Sequence, residues 1–259
     1  MVNSTKKSHV WLWGGLIILI IAVYLNRSYA YFYDFLDNHK TMPLPANSVI
    51  NLKPPNPKSQ AKLTYLALGD SLTYCEGANQ PDQTYPFLVA QLLSARSEIE
   101  LVNLGIPGAR TAEVIKLELP KLNNLKLNLI TLLIGINDAQ SLETEATFEK
   151  NYQFVLNQIT INPQTKVLVL NIPSLTNDKN ILPPYKYLMD LRISRFNSII
   201  GNLVREKQKS NHNLFLINLY EQTKQQFMVD PSLYSADLFH PSAKGYKLWS
   251  EIITNDPNF

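Results

Sequence analysis

An acidic residue and a histidine stand three positions apart near the end of this 259-residue chain, in the run Asp237-Leu238-Phe239-His240. This spacing lets a carboxylate meet an imidazole at a turn, where the acid would hold one tautomer of the ring. Such a pair can take a proton from a hydroxyl nucleophile. The other histidines fit this chemistry less well, because His9 and His39 precede the predicted domain and His212 lies in a polar connection.

Three successive apolar runs of the sequence are each followed by polar or glycine residues. Gly69-Asp70-Ser71 supplies a hydroxyl, Gly105-Ile106-Pro107-Gly108 a glycine-rich turn, and Gly135-Ile136-Asn137-Asp138 a carboxamide. In open parallel sheets, ligands bind outside the carboxyl ends of the strands. The three segments are therefore expected to meet at one edge of a sheet, together with the Asp237–His240 pair.

Each of these residues also has a structural interpretation. Ser71 can cap the helix that follows the first strand, and Asp237 can cap the last helix. Gly105 and Asn137 can simply satisfy tight turns. One such placement is unremarkable, whereas the convergence of several at one sheet edge favours a functional site.

Neighbouring residues are given structural roles. Asp70 and Asp138 are expected to bond backbone groups of their own loops. Cys75 lacks a basic partner nearby in sequence and is interpreted as a packed, small apolar side chain. Arg110 is interpreted as a solvated side chain, with contact to an anionic substrate as the alternative.

Alternating elements must position the site. The strand-like runs are continuously apolar, which is typical of parallel strands covered on both faces. The pattern predicts a three-layer α/β/α sandwich around a five-stranded parallel sheet. The predicted strands are Leu63–Leu68, Ile99–Leu104, Leu129–Ile134, Lys166–Asn171 and Leu214–Leu219, and the predicted helices are Tyr85–Ala95, Thr111–Leu119, Glu145–Ile159, Tyr185–Lys209 and Ser242–Ile253.

The N-terminal segment indicates membrane insertion. Lys6 and Lys7 precede an uncharged, mostly apolar run, Val10–Leu25, that aromatic residues flank. This favours an uncleaved anchor over residues 1–30 with an extracytoplasmic domain. A signal peptide cleaved after Ser28-Tyr29-Ala30 and a buried core helix are the alternatives. Residues 31–60 then form a proline-rich spacer and residues 61–259 the folded domain.

Composition excludes several classes of function. The net charge of +3 comes from 24 basic and 21 acidic residues without a block of like charge, so no nucleic-acid partner is expected. The single cysteine excludes an intramolecular disulfide and zinc sites built on cysteine pairs. No histidines stand at metal-binding spacing, so neither a metal nor another cofactor is expected.

The ordered motifs resemble those of the SGNH (GDSL) hydrolase superfamily. The matching segments are Gly69-Asp70-Ser71-Leu72, Gly105, Gly135-Ile136-Asn137-Asp138 and Asp237-Leu238-Phe239-His240. The resemblance covers roughly residues 63–253 and implies a flavodoxin-like fold. It also implies that Ser71 is the nucleophile, His240 the base, and Asp237 the acid that orients His240. The backbone amides of Ser71 and Gly105 and the Asn137 side chain would form the oxyanion hole.

The resemblance implies a serine ester hydrolase that forms an acyl-enzyme on Ser71, and the N-terminal segment predicts that this hydrolase is membrane-tethered and extracytoplasmic. Its substrate would be an acyl ester of a lipid or of an O-acylated glycan. Two alternatives remain open at this point. One is an acyltransferase that passes the same acyl group to an envelope polymer or lipid, and the other is a catalytically silent envelope-binding module.

Overall fold

The computed structural model describes residues 4–38, 48–54, 62–74, 76–122, 125–141, 143–177 and 179–259. Cys75 and half of the predicted spacer, residues 39–47 and 55–60, lie outside these ranges. The predicted α/β architecture is confirmed, and each of the five predicted strands is found within two residues of its expected bounds. The strands are β1 Ser48–Leu52, β2 Lys62–Gly69, β3 Glu98–Asn103, β4 Leu129–Leu133, β5 Lys166–Leu170 and β6 Leu214–Ile217.

The strands form one sheet in the order β1-β3-β2-β4-β5-β6. Strands β2 to β6 pair in parallel, with Leu66 opposite Val102 on one side and Ile130 on the other. Counted without β1, these five strands have the flavodoxin-like order 2-1-3-4-5. The order therefore reverses between β2 and β4, and the carboxyl ends of these two strands flank the switch point.

The sheet contains the five predicted parallel strands and one further strand, β1, that was not predicted. Strand β1 lies within the stretch interpreted as a spacer and pairs antiparallel with β3, with Ile50 opposite Leu101. Its residues alternate between exposed and half-buried, as expected for an edge strand that covers β3 on one side. The surrounding prolines concealed it, because they made the whole segment resemble an extended linker.

Helices cover the sheet in two groups, α3 with α8 and α9, and α5 with α6 and α7. The strands between them are largely buried, and all five residues of β4 are buried. Helix α8 was not among the predicted helices, and neither were the short helices α2 and α5. The fifth predicted strand extends to Leu219, but that residue begins α8, which Asn218 caps. The helices are α1 Ser4–Asn38, α2 Ser71–Tyr74, α3 Tyr85–Ser94, α4 Thr111–Glu113, α5 Ile136–Gln140, α6 Glu145–Ile159, α7 Tyr185–Gln208, α8 Leu219–Val229 and α9 Ala243–Asn255.

Helix α1 has two parts that differ in their surroundings. Among the described residues, one helix is long and apolar enough to cross a membrane, Trp11–Asn38, and an 18-residue stretch of it has a mean hydropathy of 1.5. The side chains from Trp11 to Tyr24 are largely exposed, and that of Trp11 is 80% exposed. From Leu25 onward one face of the helix becomes buried, at Leu25, Ser28, Phe32 and Leu36. This spacing is that of a helix stripe that packs against the domain.

The second part of α1 packs beside the segment that contains His240. The Phe32 ring lies 5.4 Å from the Phe239 ring in an edge-on arrangement, and Phe239 immediately precedes His240. The Tyr29 ring meets Tyr185 at 5.2 Å, and the Tyr185 amide donates to Ser28 Oγ at 3.3 Å. The apolar helix is therefore joined directly to the folded domain, and not only through the chain that follows it.

We expect Phe32→Ala to lower the free energy of unfolding by about 3–5 kcal/mol, the usual cost of removing a buried phenylalanine ring. The measurement is denaturant unfolding of the detergent-solubilised protein, followed by fluorescence. Tyr24→Ala is the matched control, because it removes an aromatic ring that is 64% exposed on the same helix. Equal stability of the two variants would contradict packing of α1 on the domain.

Candidate active site

Ser71 stands at the carboxyl end of the central strand β2, as the first residue of α2. Gly69, the last residue of the strand, has φ +150°, and a Cβ atom there would lie 2.1 Å from the Leu133 carbonyl oxygen. Only glycine permits this close approach of β2 to β4. Asp70 Oδ1 accepts from the Leu72 amide at 3.0 Å, which is the backbone role expected for this aspartate.

The loop before α9 brings His240 to Ser71, 169 residues earlier in the chain. His240 Nε2 lies 2.9 Å from Ser71 Oγ, and His240 Nδ1 lies 2.6 Å from Asp237 Oδ2. The loop closes on itself through the Ser235 amide, which donates to the His240 carbonyl at 2.8 Å. The structure thus places a hydroxyl, an imidazole and a carboxylate in one continuous hydrogen-bonded line.

Hydrogen bonds fix both oxygens of the Asp237 carboxylate. Its Oδ1 accepts from the Ser235 hydroxyl at 2.7 Å and from the amides of Phe239 and His240, each at 2.9 Å. Burial alone would raise the pKa of Asp237, but the hydrogen bonds from His240, Phe239 and Ser235 and the imidazolium charge lower it. Asp237 is therefore an anion at neutral pH and cannot turn away from the ring.

The surroundings of His240 favour the protonated form of its imidazole. Burial alone would lower the pKa of the imidazole, but hydrogen bonds to Asp237 and Glu76 and their negative charges raise it to about 9. Only the neutral ring can accept a proton from Ser71. The raised pKa therefore moves the pH at which His240 becomes a base from about 6.5 to about 9.

Gly105 lies against the backbone of the Ser71 turn. A Cβ atom at this position would lie 2.5 Å from the Tyr74 amide nitrogen and 3.0 Å from the Asp70 carbonyl oxygen. The Gly105 amide donates to Asn103 Oδ1 at 3.0 Å, and Asn103 Nδ2 donates to the Thr73 carbonyl at 2.8 Å. An oxyanion that accepts a hydrogen bond from the Gly105 amide must therefore share the amide hydrogen with Asn103 Oδ1.

Asn137 follows β4, at the start of α5. Its Nδ2 donates one hydrogen atom to the Ala109 carbonyl at 2.9 Å, and an amide nitrogen carries a second. The next residue, Asp138, accepts from the amide and the hydroxyl of Thr111, at 3.0 and 2.6 Å for its nearest oxygens. These bonds connect the Asn137 loop to the segment after Gly105. Asp138 thus bonds a backbone amide as expected, but that amide belongs to another loop and not to its own.

Several supporting residues were not identified from the sequence. Asn180 Nδ2 donates to the carbonyl oxygens of Asp237 and Leu238, the latter at 2.8 Å, and Leu238 has a left-handed φ of 53°. The buried Glu118 accepts from the Gly69 amide at 3.0 Å, and burial raises its pKa to about 9. Nothing in the local sequence around Asn180 or Glu118 marks them, because their contacts form only across the fold.

The arrangement is that of a hydrolase with a serine at the switch point of a flavodoxin-like sheet. The sequence profile of the GDSL-like lipase/acylhydrolase family matches residues 67–248, which include Ser71, Gly105, Asn137, Asp237 and His240. The chain belongs to this family and is a carboxylic ester hydrolase. A comparison with curated proteins finds no match.

Solved structures share the fold at low sequence identity. A lipolytic G-D-S-L family protein from Veillonella parvula is 15% identical, with a TM-score of 0.60 over 76% of this chain and 98% of its own. The lipase Lip_vut3 from a goat rumen metagenome is 24% identical, with a TM-score of 0.59 over 74% and 96%. A catalytic mutant of Axe2, an acetylxylan esterase from Geobacillus stearothermophilus, is 18% identical, with a TM-score of 0.60 over 78% and 97%.

We expect Gly105→Ala to lower kcat/KM for a water-soluble ester by about 10²-fold, because small displacements of reacting groups have effects of this size. The added methyl group meets backbone atoms of the Ser71 turn, which cannot yield as a flexible side chain would. The control is Gly108→Asn in the same loop, where nothing lies within 4 Å and asparagine tolerates the positive φ. Equal activity of both variants would contradict the contact.

Proposed function

We propose that this protein hydrolyses acyl esters through a covalent acyl-enzyme on Ser71, with His240 as general base and acid and Asp237 as the residue that orients it. The observation that carries the proposal is the line of contacts from Asp237 Oδ2 through His240 to Ser71 Oγ, at 2.6 and 2.9 Å. These are hydrogen-bond distances suited to proton transfer.

In the first half of the reaction, neutral His240 takes the Ser71 proton on Nε2 while Oγ bonds to the acyl carbon. The resulting imidazolium is stabilised by Asp237 and gives its proton to the leaving alcohol. In the second half, His240 takes a proton from water, whose oxygen attacks the acyl carbon. The imidazolium then gives this proton to Ser71 Oγ as the bond between Oγ and the acyl carbon breaks, which releases the acid and restores the free serine. Both halves use the chain's own residues, so no cofactor enters the scheme.

The negative charge that develops on the carbonyl oxygen needs donors. The proposed set is the amides of Ser71 and Gly105 and the Asn137 side chain. Support comes from the position of Gly105 against the Ser71 turn and from the second hydrogen atom of Asn137 Nδ2. One donor of this kind contributes about 10²–10³ in rate.

Ser71→Ala is expected to abolish ester hydrolysis while the melting temperature stays within a few degrees of wild type, because the change removes one oxygen atom. A fluorophosphonate probe followed by peptide mass spectrometry should label Ser71 in the wild type and leave the variant unlabelled. Labelling of another serine in an active enzyme would refute the assignment.

The membrane location is a further part of the proposal. The exposed apolar side chains of Trp11–Tyr24 suit a lipid environment, and the packed Ser28 and Tyr29 support an uncleaved anchor, because cleavage after Ala30 would remove both. Phe32 lies five residues beyond Arg27, about 7.5 Å along the helix axis. An active site this close to the end of the span favours esters at the bilayer surface, of lipids or of acylated glycans that reach it.

We expect the full-length protein to stay in the membrane fraction through high-salt and carbonate washes, with its C-terminus outside the cytoplasm. The test is a C-terminal alkaline phosphatase fusion, which is active only when exported, compared with a cytoplasmic reporter fused at the same position. A mature chain that begins at Tyr31 would establish a cleaved signal, and activity of the cytoplasmic reporter alone would reverse the topology.

A further inference from the structure

A second carboxylate, that of Glu76, contacts His240 at the same nitrogen as Ser71. Glu76 Oε2 lies 3.2 Å from His240 Nε2, while Asp237 occupies Nδ1 on the other side of the ring. When the ring is neutral and Nδ1 carries the proton, Nε2 presents a lone pair, which repels a carboxylate oxygen. When the ring is protonated, Nε2 carries a hydrogen atom that Glu76 can accept. The contact is therefore favourable only to the imidazolium.

The fold holds Glu76 in this position. Its amide donates to the Ser71 carbonyl at 3.0 Å, and the Tyr246 hydroxyl donates to its carbonyl oxygen at 2.7 Å. The next residue, Gly77, has φ +89°, and a Cβ atom there would lie 2.8 Å from the His240 Cβ. These backbone contacts do not involve the Glu76 carboxylate, so a change at the end of that side chain leaves them in place.

We infer that Glu76 is a catalytic residue of the proposed ester hydrolysis: it competes with Ser71 for the Nε2 proton of His240 and thereby sets the pH range in which His240 acts as a base. The inference rests on the proposed function of the same site. The proton balance is simple. Imidazolium passes its Nε2 proton to the Glu76 carboxylate, which releases it to water, and the neutral ring then accepts the Ser71 proton.

Solvent exposure supports this route. The Glu76 side chain is 25% exposed, whereas the His240 side chain is 10% exposed. Glu76 is thus more accessible than the imidazole that it contacts and can exchange a proton with water. A carboxylate so close to the ring is expected to move the working pH upward by about one unit or more.

Other charged groups also face His240. Asp237 belongs to the same loop and acts through Nδ1. Asp70, at the end of β2, also feels the charge of His240, but burial raises its pKa to about 7. Asp237 and Asp70 are fully or nearly inaccessible, and Asp237 has four hydrogen-bonded contacts that fix it. Glu76 is the member of this group whose charge can be removed without disturbing buried hydrogen bonds.

The test compares pH profiles of kcat/KM for a water-soluble ester between wild type and Glu76→Gln. Glutamine has the same size, and its amide can donate to the lone pair of neutral Nε2, so it favours the base form. We expect the midpoint of the alkaline rise to fall by at least one pH unit, and activity at pH 7, relative to each enzyme's own maximum, to rise about tenfold. Asp82→Asn is the control, since it removes an exposed charge from the same segment and should leave the midpoint in place.

A second measurement does not depend on activity. In the Ser71→Ala background, the His240 imidazole is titrated by NMR with and without Glu76→Gln, and its signal is assigned by its loss in His240→Gln. A fall of at least one unit in the His240 midpoint supports the inference. An unchanged midpoint overturns it, as does a uniform loss of activity at every pH without a shift. Failure of wild type to hydrolyse any ester would count against the proposed function, while the NMR midpoint would still decide the role of Glu76.

Discussion

The buried hydrogen bond between Asp237 and His240 Nδ1 is the contact on which the geometry of the site depends. A carboxylate in such a position is costly unless it is fully hydrogen-bonded, and three donors on Oδ1 meet this requirement. Because those donors come from Ser235, Phe239 and His240 itself, the loop must close tightly around the acid. The ring is then oriented before it meets Ser71, and Nε2 is the ring nitrogen that faces the Ser71 hydroxyl.

The rest of the fold brings Ser71 together with the loop that contains Asp237 and His240. Parallel pairing of β2 with β3 and β4 places Ser71 and the loops of Gly105 and Asn137 at one edge of the sheet. Helix α9 and Tyr246 hold the His240 loop against the segment after α2. Since Ser71 and His240 are 169 residues apart, their 2.9 Å contact exists only when the whole sandwich is folded. Local unfolding of either segment would separate His240 from Ser71.

The parallel strands and the residues that follow them could be predicted from the sequence, for identifiable physical reasons. The parallel strands are buried on both faces, so each is a continuous apolar run, and the residue after each run lies at the functional edge. Strand β1 was not predicted, because it is a half-exposed edge strand among prolines. Helix α8 was not predicted, because Leu219 extends an apolar run that resembles a strand. Asn218 followed by Glu221 is nevertheless a helix-capping pattern that marks the start of α8.

The supporting side chains could not be predicted in the same way. Asn103, Glu118 and Asn180 act through hydrogen bonds to backbone atoms that lie 30 to 58 residues away. Glu76 lies five residues from Ser71 in sequence, yet its approach to His240 depends on the path of the intervening turn. Each of these contacts is decided by how loops pack, and hydrophobic periodicity carries no information about that.

The packing of α1 on the domain changes what a rate measurement on this enzyme would mean. Under the proposed topology, the Phe32–Phe239 contact fixes both the height of the active site above the bilayer and the direction in which it faces. The enzyme then meets its substrate by lateral diffusion in the plane of the membrane. The relevant substrate concentration is the number of molecules per unit area. Its turnover on membranes would scale with the surface density of the ester and with bilayer fluidity, while bulk concentration would matter only for small esters that diffuse in from solution.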